Sequence, residues 1–400
     1  MATVTFDQNT YAGELYGEMI FPALVPAQGL VDKNLVTLIT GVKKRLVMRV
    51  ADIDVEFQDP ACNFTTQDDG PTIGERYLDP VEYAVMLEMC WKDLIAGWDA
   101  MKLKKGTMGN YQPPATLEKA FIEMVTQKIG IMNEQMYIRG KAGVTAGTVS
   151  FAADYPGILE RLRADSAVNK IQTSDVAGAS FALTGITTAA NGVVTVASTA
   201  NLKSGDTVTI DGANGNQQVN GTTINGQSFT ITVVNATTFR LNKTVTGGSA
   251  ATSGTVYFFN QSNVLALLSY IYSVIPEQIE DNPNTKIWVP KQVVKAYSML
   301  QATNATAGGD YFIGKKEMDF LGTKLTPVTY LPAGNVIIAP NTHIQLAVDD
   351  SGDEDNIQTI WMGDKTADWK YRYRAGMRSD INHIQGQDIV LISPDITAGS

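Results

Sequence analysis

The pattern of apolar and polar residues divides this chain into three parts. Residues 1–179 and 261–400 contain long apolar patterns at helical spacing together with shorter alternating runs. Residues 180–260 contain only short runs in which β-branched residues alternate with polar ones. A period near 3.6 predicts helices and a period of two predicts strands. We therefore expect an α+β protein that carries an all-β insertion.

The first part predicts one long helix and several shorter elements. The helix covers residues 116–139, and its apolar face is formed by Leu117, Phe121, Met124, Met132 and Met136. Further predictions are a strand over residues 46–57, a polar loop over 58–74 and a second helix over 80–98. The long helix ends just before Gly140, a residue type common at helix ends.

The last part predicts two helices and a series of strands. The helices cover residues 264–279 and 291–302, and Pro290 precedes the second at a position where proline is tolerated. The predicted strands cover residues 286–289, 322–328, 335–339, 343–348, 357–362, 369–374 and 388–392.

The middle part, called the β-module here (residues 180–260), has its own composition. It lacks Pro, Met, Trp, Cys and His, and Thr, Asn, Gly, Ser and Val dominate. Turn signals such as Asn191-Gly192 and Asp211-Gly212 separate the predicted strands. The strands cover residues 193–196, 206–210, 228–234, 237–241 and 255–259. An insertion of this kind needs its two ends close together at a surface loop of the host.

Composition narrows the possible functions. The 400 residues carry 31 Lys+Arg and 41 Asp+Glu, so the net charge of −10 argues against nucleic-acid binding through a basic surface. Charged residues make up only 18 %, below the typical ~25 %, which hints at burial by other protein. The two cysteines, Cys62 and Cys90, favour reduced thiols. With no secretory signal and no apolar run long enough for a bilayer, we expect a soluble protein made in the cytoplasm.

Candidate chemistry is sparse. The only histidines are His343 and His383, and neither has a nucleophile or metal-ligand partner at a recognisable spacing. The acidic run at residues 349–355 does not match an EF-hand loop, which favours a solvated turn over a cation site. We expect no catalysis, no metal and no cofactor.

The order of several segments resembles the major capsid proteins of tailed bacteriophages. The first set consists of residues 76–98, the long helix, the glycine-rich step at 140–148 and Pro156-Gly157-Ile158-Leu159. The second set, residues 287–290, 320–328, 331–340, 343–349 and 369–376, is similar to the family's later strands. The resemblance covers the chain apart from the β-module and the first thirty or so residues. The β-module itself resembles small β-sandwich or β-barrel modules of phage virion proteins.

The resemblance implies a Hong Kong 97-like capsid fold with a defined division of the chain. It assigns residues 1–45 to an N-terminal arm, 46–78 to an extended loop, and 79–155 to a peripheral domain with the long spine helix. Residues 156–179 and 261–362 would form the axial domain, 180–260 the inserted module, and 363–400 the return to the peripheral domain.

The function implied by the resemblance is structural. Many copies would form hexamers and pentamers that close into an icosahedral shell around double-stranded DNA, without sequence-specific binding and without a membrane. Portal and scaffolding or decoration proteins would be further partners. The protein would reside in the virion capsid after synthesis and assembly in the host cytoplasm.

Eight residues are candidate assembly contacts. The apolar group in the N-terminal segment is Tyr11, Leu15, Tyr16, Met19 and Phe21, for which a packed terminal helix is the alternative. The basic group is Lys43, Lys44 and Arg45, for which a solvated edge is the alternative.

Two other functions remain open at this stage. An encapsulin-type nanocompartment would share the fold but enclose protein cargo. A virion-borne carbohydrate-binding or adhesion protein would act through the β-module.

Overall fold

The architecture is α+β, with three principal sheets. The computed structural model describes residues 29–52, 72–90, 115–140, 155–176, 178, 180–219, 222–304, 318–349, 357–362 and 370–394. Five α-helices lie in these ranges: α1 (Ala115–Arg139), α2 (Ile158–Ala164), α3 (Val264–Ser273), α4 (Glu277–Glu280) and α5 (Lys291–Asn304).

The strands before and inside the β-module number fourteen in the described ranges. They are β1 (Thr37–Thr40), β2 (Leu46–Asp52), β3 (Thr72–Leu78), β4 (Val81–Cys90), β5 (Asn169–Gln172), β6 (Ser180–Ile186), β7 (Val193–Val196), β8 (Thr207–Asp211), β9 (Gln218–Val219), β10 (Thr222–Thr223), β11 (Gln227–Thr230), β12 (Thr232–Val233), β13 (Thr238–Arg240) and β14 (Thr255–Phe258).

Eight further strands follow in the described part of the chain. They are β15 (Thr285–Pro290), β16 (Met318–Phe320), β17 (Thr323–Val328), β18 (Val336–Pro340), β19 (Ile344–Val348), β20 (Ile357–Trp361), β21 (Lys370–His383) and β22 (Val390–Ser393).

A six-stranded sheet with the order β16-β17-β15-β18-β22-β5 separates two cores. Successive residues of β15 point to opposite faces, as a strand requires. Trp288 faces the core that contains α1 and α2, whereas Ile287 and Val289 face the core that contains α3 and α5. All three side chains are fully buried. Because both faces are covered by helices, the sheet reads as a continuous apolar run in the sequence.

The longest strand, β21, joins the elements of a second sheet. It pairs antiparallel with β4 over ten residue pairs, from Lys370 opposite Cys90 to Ser379 opposite Val81. It also pairs with β19 and β20, and β1 adds a parallel strand to β19.

The β-module forms a seven-stranded antiparallel sheet with the order β11-β8-β14-β6-β7-β13-β12. Its first and last strands, β6 and β14, pair directly, with Ser180 opposite Tyr257 and Ala182 opposite Thr255. Chain entry and exit therefore lie side by side. The module packs its own core, in which Phe239, Phe258 and Ile210 are fully buried.

One predicted helix is wrong. Residues 81–90 of the predicted helix 80–98 form strand β4, and residues 91–98 lie outside the described part of the chain. Val81, Tyr83 and Val85 fit a period of two as well as a helical stripe, and Tyr83 is buried between exposed Glu82 and Ala84. The long ladder to β21 stabilises the strand conformation, because pairing between distant segments overrides a weak local preference for helix.

Three other predicted elements need correction. The predicted helix 264–279 is divided into α3 and α4, since Pro276 cannot continue a helix and stands instead as the residue before α4. Residues 72–74 of the predicted loop 58–74 belong to β3, and residues 58–71 lie outside the described ranges. The strand predicted for 369–374 extends to His383 as β21.

The sequence patterns also missed β6, the first strand of the β-module.

The end of α1 crosses the start of α2 at two glycines. Gly140 adopts φ +64°, and a Cβ added there would lie 2.5 Å from the Gly157 backbone nitrogen and 2.6 Å from the Tyr155 carbonyl oxygen. These distances are shorter than any normal Cβ contact, so only glycine permits the crossing.

We predict that Gly140→Ala lowers the free energy of unfolding by about 2–4 kcal/mol, the sum of left-handed backbone strain and overpacking. Gly41→Ala is the matched control, because Gly41 has φ +77° but nothing lies within 4 Å of an added Cβ. Its loss should be about 1 kcal/mol. Urea unfolding of both variants tests this, and equal losses would contradict the close crossing.

Candidate assembly surface

A two-stranded hairpin is the most exposed regular structure near the start of the described chain. Strands β2 and β3 pair in continuous register from Leu46 opposite Leu78 to Asp52 opposite Thr72, and they form a sheet of their own. An isolated two-stranded hairpin is at best marginally stable in water. This hairpin therefore needs contacts beyond its own ladder.

The contacts within the chain cover only one part of the hairpin. Met48 and Leu78 are buried against Val42 and Ala347 in a small core at its base. On the other side, Val47 and Tyr77 stand directly opposite each other and are 44 % and 42 % exposed. Ile73, further along the ladder, is 67 % exposed. The hairpin thus keeps apolar side chains in water along its length.

Two further exposed apolar side chains lie on β4, which follows the hairpin directly. Met86 is 69 % exposed and Leu87 is 41 % exposed. As consecutive residues of a strand they point to opposite faces of the sheet. Met86 shares its face with Glu88, which pairs with Lys370 at 2.5 Å and with Arg372 at 2.8 Å.

The basic group predicted from sequence lies at the base of this hairpin. Arg45 bonds to Asp79 at 2.7 Å and lies 5.1 Å from the ring centroid of Tyr77. Both partners of the ion pair are exposed, so it adds little stability. Lys43 and Lys44 are exposed in the segment that connects β1 to β2. The remaining candidates, Tyr11, Leu15, Tyr16, Met19 and Phe21, lie outside the described residues.

A buried charge cluster, which the sequence patterns did not indicate, holds the hairpin to the body. Arg76 of β3 pairs with Asp165, the residue that ends α2. The Asp165 carboxylate also contacts His383 Nε2 at 2.7 Å. His383 is 1 % exposed, and its Nδ1 atom has no partner among the described residues. Three distant segments therefore meet at one carboxylate.

A second carboxylate, Asp380, completes the cluster three residues before His383. Its Oδ1 accepts from Arg161 Nη2 at 2.6 Å, and its Oδ2 accepts from the backbone N–H of Asp79 at 2.7 Å. Asp79 connects β3 to β4. The orientation of the hairpin relative to the long sheet is thereby fixed by a buried acceptor.

Burial and hydrogen bonding act differently on these two acids. Burial raises the pKa of Asp380 to about 6, although Arg161 and the backbone N–H groups of Asp79 and Ile381 oppose the shift. Burial also acts to raise the pKa of Asp165, but hydrogen bonds from the Ala167 N–H, His383 and Arg76 outweigh it and bring the value to about 2. Burial lowers the pKa of His383. The imidazole is therefore neutral near pH 7.

A buried hydroxyl group lies beside the charge cluster. Ser379 Oγ is 3.0 Å from Tyr83 Oη and 3.5 Å from Tyr155 Oη. Burial raises the pKa of both tyrosines well above the ordinary value, which keeps them protonated. These contacts join β4 and β21 to the segment before α2.

The described residues show neither a metal centre nor a membrane span. No group of three His, Cys, Asp or Glu side chains among them could hold a metal ion. No helix in the described ranges is long and apolar enough to cross a membrane.

Comparisons with known proteins give similarity in structure only. No protein-family model and no curated protein matches the sequence. The structure is similar to the capsid of a native GTA particle, with a TM-score of 0.46 and 10 % identity over 98 % of this chain and 95 % of the other. It is also similar to the satellite phage P4 procapsid, with a TM-score of 0.44 and 9 % identity over 94 % and 98 %.

A third solved structure has a similar score. The virus-like particle from Pyrococcus furiosus gives a TM-score of 0.42 and 8 % identity over 94 % of this chain and 96 % of the other. All three TM-scores lie below 0.5.

We predict a pH dependence of stability that comes from Asp380. Between about pH 4 and 6 the folded chain holds a proton on Asp380 that the unfolded chain, with a pKa near 3.8, has released. The free energy of unfolding should therefore fall as pH rises through this window, by up to about 3 kcal/mol. Asp165 acts in the opposite direction, and its stabilisation is lost as pH falls from about 4 to about 2.

Urea unfolding of the unassembled chain at several pH values measures this effect. Asp380→Asn should flatten the dependence between pH 4 and 6, whereas Asp319→Asn, a change at an exposed edge-strand carboxylate, should leave it unaltered. An unchanged slope in Asp380→Asn would show that another group is responsible.

Proposed function

We propose that this chain is a structural, non-catalytic major capsid protein with a Hong Kong 97-like fold. Copies form hexamers and pentamers that close into an icosahedral shell, and the protein is a component of the virion. The observation that carries the proposal is the hairpin β2–β3. It exposes Val47, Ile73 and Tyr77 although it cannot be stable through its own ladder.

Contact with neighbouring copies meets this requirement. A surface repeated on every subunit buries the apolar side chains of each hairpin against the next subunit, and removal of apolar area from water favours association. Met86 and Leu87 on β4 are further exposed apolar side chains, one on each face of the strand, that contacts with neighbouring copies can cover. The buried charge cluster keeps the hairpin in a fixed direction, which lowers the cost of ordering it on assembly.

The division of the chain follows the same proposal. Residues 1–45 form the arm, 46–78 the extended loop, 79–155 the peripheral domain, 156–179 with 261–362 the axial domain, and 363–400 the return. Residues 180–260 form the insertion, which is supported by the pairing of β6 with β14 and by a separate core. The candidate contacts in the arm and at Lys43, Lys44 and Arg45 belong to the subunit interfaces.

The proposed contents are double-stranded DNA, and the further partners are portal and scaffolding or decoration proteins. The acidic chain, with a net charge of −10, fits a wall that encloses DNA without a sequence-specific grip. Nuclease-protected DNA in purified particles supports this assignment. Particles that instead contain only protein cargo favour a nanocompartment.

We predict that Ile73→Asp reduces assembly while the subunit stays folded. A charge at a 67 % exposed position costs the fold little, but it opposes burial between subunits. The yield of rings or shells should fall at least about tenfold, as for a central interface residue. Analytical ultracentrifugation and negative-stain imaging measure the yield.

The matched control is Val234→Asp. Val234 is 48 % exposed on the β-module, away from the hairpin, and its variant should assemble like the unaltered chain. A chain that remains monomeric even with scaffold candidates and crowding agents would contradict the proposed function. If Ile73→Asp and the control assembled equally well, the hairpin would not be part of the subunit interface.

A further inference from the structure

The end of helix α1 contacts the β-module through one arginine. Arg139, the last residue of α1, donates from Nη2 to the Gly226 carbonyl oxygen at 2.9 Å. Gly226 lies in the turn between β10 and β11, and its backbone N–H donates to the Ile210 carbonyl oxygen at 2.8 Å. The module therefore presents a hydrogen-bonded turn to Arg139 where it meets the rest of the chain.

A second arginine reaches the same joint from helix α2. Arg163 donates from Nε to Ser393 Oγ at 3.1 Å and from Nη2 to Asn335 Oδ1 at 3.1 Å. Asn335 follows Gly334, where an added Cβ would lie 3.5 Å from Tyr257 of β14. The partners of Arg163 thus adjoin the β-module as well.

The strand order brings the two contact points close together. β11 and β14 both pair with β8, one on each side. Neighbouring strands lie about 4.8 Å apart, so Gly226 before β11 and Tyr257 on β14 are about two strand spacings apart. Arg139 and Arg163 therefore approach the same short stretch of the module's sheet.

Neither arginine has an acidic partner in the described part of the chain. The side chains of Arg139 and Arg163 bond to a carbonyl, a hydroxyl and an amide oxygen. Glu160, one turn before Arg163 on α2, is exposed and makes no ion pair with it within the described ranges. Burial and the charge of Arg163 both lower the pKa of Arg139. Two like charges are thus held near each other in a half-buried place.

A third cation, Lys170, adds to this charge. Its Nζ donates to the Arg163 carbonyl oxygen at 2.5 Å. Lys170 lies on the same face of β5 as Gln172, which is the register partner of Ser393. Because Arg163 bonds to Ser393, the ammonium group lies on the side of the sheet that Arg163 covers.

We propose that the joint formed by Arg139, Arg163 and Lys170 binds a phosphate group. Cations taken out of water without an anion are unfavourable, and a bound anion offsets that cost. A phosphate carries about −1.5 to −2 charges at pH 7 and several acceptor oxygens, so it compensates three cations better than one carboxylate does. The guanidinium N–H groups that make no protein contact can donate to these oxygens.

The bound phosphate links helices α1 and α2 to the β-module, which the chain joins covalently only at its two paired end strands. This proposal does not depend on shell formation, so the two can fail separately.

The test is calorimetric titration of the full chain with sodium phosphate in a neutral chloride buffer. We expect saturable binding that weakens at least about tenfold in Arg139→Gln and in Arg163→Gln, since each variant removes one charged donor. The control variants Arg240→Gln, on the β-module, and Arg374→Gln, on β21, change exposed arginines outside the joint and should bind normally.

Thermal unfolding gives a second readout. Phosphate should raise the unfolding temperature of the unaltered chain more than that of Arg139→Gln, because a ligand stabilises only the state that binds it. Phosphate salts also stabilise folded proteins without a site, and Arg240→Gln measures that general effect.

Dimethyl phosphate, which has one charge and the diester chemistry of a DNA backbone, distinguishes two sources of the phosphate. Binding as tight as that of free phosphate assigns the site to a nucleic-acid backbone. Weaker binding assigns it to free phosphate or to a phosphate monoester.

Three results would overturn the proposal. The first is an absence of saturable phosphate binding. The second is equal binding by the Arg139 and Arg163 variants and the controls, even if the former unfold more easily, because the arginines would then serve the fold alone. The third is displacement of phosphate by acetate at equal concentration, which would show a site without preference for phosphate.

Discussion

Two carboxylates, the partly buried Asp165 and the fully buried Asp380, make the contacts on which the arrangement of the segments around the long strand depends. Asp380 lies on the longest strand and receives the Arg161 guanidinium and the backbone N–H that links the hairpin to β4. Asp165 receives Arg76 from the hairpin and contacts His383. A buried charge is tolerated only when such partners satisfy it, so the loss of one segment would leave an unpaired charge away from water.

This constraint explains how the hairpin keeps a fixed direction although much of it is exposed. Its base is fixed by charge and by a small core around Leu78, while Ile73 and Tyr77 remain in water. The β-module is attached in a different manner. Its first and last strands pair with each other, so the chain enters and leaves the module at neighbouring positions. Residues of the β-module and of α5 line a common cleft where the two meet.

Local patterns were sufficient where one period and clear end signals agreed. The long helix 115–139 ends at Gly140, and β15, β17, β18 and β19 follow their apolar runs within about two residues. Patterns failed where two periods coexisted, as at residues 81–90, and where a proline interrupted a continuous apolar stretch, as at Pro276. The basic group around Arg45 was visible in the sequence, but its ion pair with Asp79 was not.

The sequence by itself determined the α+β class, the composition of the β-module and the long helix, because composition and periodicity are local properties. Only the tertiary structure decided that β4 is a strand and that Arg76, Asp165 and His383 meet. His383 lies 218 residues from Asp165 and 307 from Arg76, and no spacing rule connects residues at such distances. They come into contact because the ladder between β4 and β21 brings distant parts of the chain together. Polar side chains that are taken out of water there are tolerated only when they have hydrogen-bonding or charged partners.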